Sequence, residues 1–172
     1  MTAFVLFHTA LSLVALVSGV AVLLGLIRQQ AAATMLSVFF ITAVLTDLTG
    51  FVLPADRLLP SHVVGLLSLL ALVVAAFARY QRRLDGGWRI ADAAGITVGV
   101  YFLVFVLFAQ AFSKLPALKA LAPTLQEPPF ALTQGLMLLV FIVAGVLAVR
   151  ASGRPASSMR SHTLGRQLKR SA

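Results

Sequence analysis

Five stretches of about 20 residues, at 4–27, 34–53, 62–78, 90–113 and 130–149, are overwhelmingly apolar and carry at most one charged residue each. A helix rising 1.5 Å per residue needs about that many residues to cross a hydrocarbon layer about 30 Å thick. Lipid offers no partner for backbone N–H and C=O groups, so such segments satisfy them internally as helices. The chain therefore reads as an all-α, polytopic membrane protein, a bundle of five transmembrane helices filling residues 1–150. Its punctuation agrees: Arg28, Pro54, Pro60, Arg79, Trp88, Arg89, Lys114, Pro116, Pro128, Pro129 and Arg150 all fall at span ends. Composition gives the same class. Apolar residues make up 60% and charged ones 11%, against about 25% charged in soluble domains.

The net charge of +9 over 172 residues would suggest nucleic acid in a soluble protein, but the positions of the charges account for it here. Eleven basic residues (Arg28, Arg79, Arg82, Arg83, Arg89, Arg150, Arg154, Arg160, Arg166, Lys169, Arg170) fall on one side of the alternating spans, and three (Arg57, Lys114, Lys119) on the other. The positive-inside rule then puts the N-terminus outside and the C-terminus in the cytoplasm. Residues 151–172 form a basic, solvated cytoplasmic tail. The expected setting is a bacterial inner membrane, with the lipid bilayer and other membrane subunits or a second copy as partners and no nucleic acid. No basic residue precedes the first span and its apolar run is long, so it is expected to stay in the mature protein. The absence of Cys excludes disulfides, thiolate metal sites and cysteine nucleophiles. No glycine-rich phosphate loop occurs, so ATPase or dehydrogenase chemistry would need another subunit.

Helical spacing places His8, Ser12, Ala15 and Gly19 on one narrow line of the first span, a close-packing face of the kind membrane helices use. Gly95 and Gly99 form a GxxxG on the fourth span, read as helix packing within or between subunits. Thr42, Thr46 and Thr49 line one side of the second. Asp92 is expected to pair with Arg89, one turn away, and Tyr80 and Trp88 to anchor the cytoplasmic interface.

One constellation rises above packing: His8, Asp47, His62, Gln110 and Gln134 at the outer ends of different spans. At 1.5 Å per residue, His8, Asp47 and Gln110 lie roughly 6–10 Å below the outer surface. Gln126 and Glu127 belong to an outer loop that Pro123, Pro128 and Pro129 stiffen into a lid over this cluster. An ionisable residue at such depth costs about 2.5–3.5 kcal/mol on insertion scales, so Asp47 needs a partner, and His8 and His62 are the natural ones. A purely structural His–Asp bond accounts for this cluster as well as any site does, with Ser61 or His62 also capping the third span.

Three chemistries fit the same residues. One is b-type haem held by His8 and His62, tuned by Asp47, with Gly50 and Gly65 leaving room for the macrocycle. Another is a divalent metal on His8, His62, Asp47 and Glu127. The third is a proton or solute relay through Asp47 and His8, with Gln110 and Gln134 as contacts for a solute or quinone. The expected function is a binding or accessory subunit with a polar site at the outer face; a small proton-coupled transporter and a structural subunit of a membrane complex are the alternatives. Catalysis is not expected, since no Ser-His-Asp arrangement stands out and Ser12 lies one turn deeper than His8. A histidine near the start of one span, a Thr- and Gly-bearing second span and a histidine opening the third resemble the layout of small multi-span bacterial membrane proteins, some of them haem-binding.

Overall fold

Apolar runs of this length fold as helices wherever Gly and Pro do not interrupt them, and that is what the computed structural model contains. It describes residues 3–53 and 60–153, with the backbone alone at Pro60 and Ser61. The elements are α1 (Ala3–Ile27), α2 (Ala33–Val52), α3 (Pro60–Ala76), α4 (Trp88–Lys114), α5 (Pro116–Leu121) and α6 (Pro128–Ser152), with no strand among the described residues. Expectations about Arg57, the Ser61 side chain and the tail beyond Gly153 fall outside the described residues. Among the described residues five helices are long and apolar enough to cross a membrane. The third, read from sequence as ending at 78, continues through a π-helical turn at Phe77–Gln81, so the span extends over His62–Gln81. The short α5, opened by Pro116, had no counterpart in the sequence reading.

Helices α1, α2, α3 and α4 pack around a square, each against its two neighbours, and α6 lies outside it along α1 and α4. Small residues decide how close they come. A Cβ on Gly19 would lie 2.8 Å from the Phe39 ring and 2.9 Å from Val100, so the ring of α2 and a branched side chain of α4 fill the notch in α1. The GxxxG of α4 packs within the chain, against α3: a Cβ on Gly95 would lie 2.6 Å from the Ala71 carbonyl oxygen, and one on Gly99 2.9 Å from Leu72. Close backbone approach of this kind replaces the hydrophobic drive that lipid removes. At mid-height Phe39, Leu72, Ile96 and Val100 are completely buried and close the square with a solid apolar layer. Outside, large apolar side chains stand bare, Val17 at 70% and Leu132 at 73% exposure among them, far more than a soluble monomer shows.

Below the layer, α3 and α4 are joined by a buried ion pair. Arg79 Nε donates to Asp92 Oδ1 at 3.0 Å and its Nη2 to Oδ2. The expected partner, Arg89, turns instead to the Leu84 carbonyl at 2.8 Å. The π turn accounts for the difference, since it carries Arg79 to the start of α4. Trp88 is held between Phe77, 5.4 Å away, and the Arg82 guanidinium, 5.0 Å over its ring. Gln29, in the left-handed region at φ 58°, donates from Nε2 to the Ala151 carbonyl at 2.8 Å, tying the α1–α2 turn to the end of α6.

Candidate functional site

Above the apolar layer the square holds a cavity of about 130 Å³. It lies where α1 and α3 begin and α2 and α4 end. His8 and Ser12 come from α1, Thr46, Asp47, Gly50 and Phe51 from α2, His62, Gly65 and Ser68 from α3, and Phe102, Val106 and Gln110 from α4. The structure thus brings His8, Asp47, His62 and Gln110 around one space. It leaves out two expected members. Gln134 lies in the α4–α6 seam, where Nε2 donates to the Phe105 carbonyl at 3.1 Å, because α6 stands outside the square. Glu127 turns back into its own loop, accepting from the Thr124 hydroxyl at 2.9 Å and from the Thr124 and Gln126 amides at 3.1 Å. These bonds hold its carboxyl below the ordinary value against a desolvation that pushes it up. No residue of the Pro-rich loop lines the cavity, so that loop is not its lid; Pro128 and Pro129 open α6 instead.

The partners of the cavity-lining residues also differ from the expected His–Asp pair. His8 Nδ1 lies 2.8 Å from Thr49 Oγ1. That hydroxyl is 2.7 Å from the Leu45 carbonyl oxygen, a separation that needs a proton between the two oxygens. The single hydroxyl proton is therefore committed to Leu45, Thr49 accepts from His8, and the imidazole carries its proton on Nδ1. In the neutral ring Nε2 then keeps its lone pair. Asp47 takes a side-chain hydrogen bond from Ser68 of α3; its Oδ2 is buried with no partner, as is the Thr46 hydroxyl. Asp47 is 9% exposed and Thr46 8%, so both unpartnered oxygens are withheld from solvent. His62 stacks on Phe51, with centroids 5.8 Å apart and planes 30° from parallel.

Neither expected cofactor fits. Gly50 and Gly65 do not hold space for a macrocycle: a Cβ on Gly50 would lie 3.5 Å from His8 Cε1, and one on Gly65 3.7 Å from the Phe51 ring. A volume of about 130 Å³ falls below the roughly 300–1,000 Å³ of drug-sized ligand sites, and haem is at least drug-sized. No three His, Asp or Glu side chains among the described residues are grouped to hold a metal ion. A transport path would have to breach Phe39, Leu72, Ile96 and Val100.

Sequence reasoning missed Ser68 and the aromatic walls Phe51 and Phe102. Ser68 had a signal: Gly65, Ser68, Leu72 and Ala75 recur at helical spacing on α3, and the last three of them are buried. No family model, curated protein or solved structure matches the chain. Its function must be argued from the site's own chemistry.

Proposed function

We propose that this is a small integral protein of a bacterial inner membrane, a binding or accessory subunit whose outer-facing cavity takes a small organic molecule. The observation that carries the reading is the pair of buried, unpartnered oxygens, Thr46 Oγ1 and Asp47 Oδ2, on one wall of that cavity. Leaving a buried polar group unpaired costs about 1–3 kcal/mol, and more for a charged group. A ligand that bonds to these oxygens recovers that loss. The surrounding walls, Phe51, Val64, Phe102, Leu103 and Val106, supply apolar contact, the usual division of labour in a small-molecule site.

The first test is purification in mild detergent, followed by an absorption spectrum, metal analysis and mass spectrometry of extracted small molecules. The expected result is no Soret band, no stoichiometric metal, and a co-purifying organic compound that the cavity-filling variant Val106→Phe loses. A Soret band abolished by His8→Ala would return haem to the site. A compound retained in full by Val106→Phe would place binding elsewhere.

A further inference from the structure

The loop from α3 to α4, at the end of the bundle away from the cavity, gathers unpaired cations. Gln81, Arg82, Arg83, Leu84, Asp85 and Arg89 line a shallow depression there, three positive charges against one negative. Asp85 neutralises none of the three, since the ion pair formed among the described residues is Arg79–Asp92. Two of the guanidinium groups are held in place. Arg82 lies 5.0 Å over the Trp88 ring, and Arg89 Nε donates to the Leu84 carbonyl at 2.8 Å, which leaves its Nη groups as donors. The backbone beneath them is fixed as well. Arg83 and Leu84 stand at φ 49° and 57°, a left-handed region that residues with a Cβ seldom enter. Bonds from the Arg82 amide to the Phe77 carbonyl at 3.1 Å, from Leu84 to Ala78 at 3.0 Å and from Asp85 to Arg82 at 2.9 Å hold them there.

We propose that this depression binds the phosphate of an anionic phospholipid, with Arg82, Arg83 and Arg89 donating to its oxygens. Location selects the source of the phosphate. Residues 82–87 join the spans His62–Gln81 and Trp88–Lys114, and a loop that short, going out and returning, reaches only about 10–12 Å beyond them. That keeps it in or beside the headgroup layer, roughly 5–8 Å deep on each face of a bilayer. Phe77 and Trp88, 5.4 Å apart, set aromatic rings beside the arginines, as at other membrane interfaces. The anions concentrated at that depth are lipid phosphates. A guanidinium meets a phosphate with paired N–H donors, which the ammonium of lysine cannot do. The surplus of positive charge disfavours a zwitterionic headgroup, whose phosphate arrives with its own ammonium.

The test is intact-complex mass spectrometry of the full chain in a neutral detergent, titrated with phosphatidylglycerol, phosphatidylethanolamine or inorganic phosphate. One phosphatidylglycerol per chain is expected to bind at least about tenfold tighter than phosphatidylethanolamine, and millimolar inorganic phosphate should not displace it. Arg82→Lys and Arg89→Lys keep the charge and lose the paired donors, so each should lower that affinity about tenfold, the scale of one charge-assisted hydrogen bond. Arg150→Lys, outside the depression, should leave it unchanged. Arg83→Gln removes a side chain that none of the loop's own bonds uses, and its expected loss of affinity decides the matter even if the lysine variants do not fold. Equal binding of the two lipids overturns the proposal. Full affinity in the lysine variants, or in Arg83→Gln, does so too, by reducing the loop to ordinary surface charge. Displacement by inorganic phosphate would make this a site for a soluble anion, and an equal loss in Arg150→Lys would place the lipid elsewhere; either result overturns the assignment.

Discussion

Thr49 holds His8 in one tautomer, its hydroxyl oxygen 2.8 Å from Nδ1 while its own proton serves the Leu45 carbonyl at 2.7 Å. The ring is oriented by α2 although it grows from α1, so the state of the site depends on how those two helices are packed. Nitrogen-15 NMR of histidine-labelled protein should show a protonated Nδ1 and a bare Nε2 on His8. Thr49→Val removes the acceptor and should give a mixture of tautomers, whereas Thr49→Ser should preserve the single form. A proton on Nε2 in the unaltered protein would contradict the arrangement.

The same packing rests on Gly95, where an added Cβ would meet the Ala71 carbonyl at 2.6 Å and Ala75 Cβ at 2.9 Å. Backbone cannot rotate away, so Gly95→Ala must push α3 and α4 apart and is expected to destabilise by about 1–3 kcal/mol. Gly135 on α6 has nothing within 4 Å of its added Cβ, and Gly135→Ala should be neutral or stabilise by about 0.5–1 kcal/mol. Unfolding in mixed detergent micelles separates the two. Equal stability of the Gly95→Ala protein would mean that the α3–α4 seam is not built this way.

At the opposite end, Asp92 has 3% of its side chain exposed and Arg79 18%. Removing one partner strands a buried charge, so Arg79→Met is expected to destabilise by about 3–5 kcal/mol. The double variant Arg79→Met with Asp92→Leu should recover most of that loss, because the desolvation of both charges disappears with the pair. A double variant no better than Arg79→Met would show that the two residues are not coupled.

The sequence made the helices legible because charge and proline delimit each apolar run, and the small-residue lines at Gly19 and Gly95 told which faces pack. What spacing cannot convey is which neighbour a face meets. His8 was matched to Asp47 on depth alone, yet in the bundle it reaches Thr49, two residues on and so about 200° around α2. The seating of Phe39 against Gly19 sets that rotation. Gln134 shares the depth of the cluster too, but α6 packs outside the square, a matter of helix order in space that no single helix encodes. Asp92 found Arg79 instead of Arg89 because a π turn redirected the end of α3.

The loop before α6 offers a pH test outside the spans. Desolvation pushes the Glu127 carboxyl up, and hydrogen bonds from Thr124 and from the Glu127, Thr124 and Gln126 amides outweigh it, leaving it below its ordinary 4.5. A carboxyl held low favours the ordered loop when ionised, so the contribution is complete above the ordinary value and disappears as pH falls through the lowered one. The amide resonances of Thr124 and Gln126 should titrate together with a midpoint below 4.5, and Glu127→Gln should abolish that titration. A midpoint at or above the ordinary value would mean that the bonds to Thr124 do not persist in solution.

The side of the membrane to which the cavity opens is set by the orientation of the chain, and the absence of cysteine makes this directly measurable. Gln126 and Asp85 are exposed and lie in loops at opposite ends of the bundle, Gln126 before α6 and Asp85 before α4. If the positive-inside rule holds for the eleven basic residues counted on one side against three on the other, the Asp85 loop is cytoplasmic. A membrane-impermeant maleimide should therefore label Gln126→Cys in intact spheroplasts, and Asp85→Cys only after lysis. The reverse pattern would turn His8 and Asp47 toward the cytoplasm.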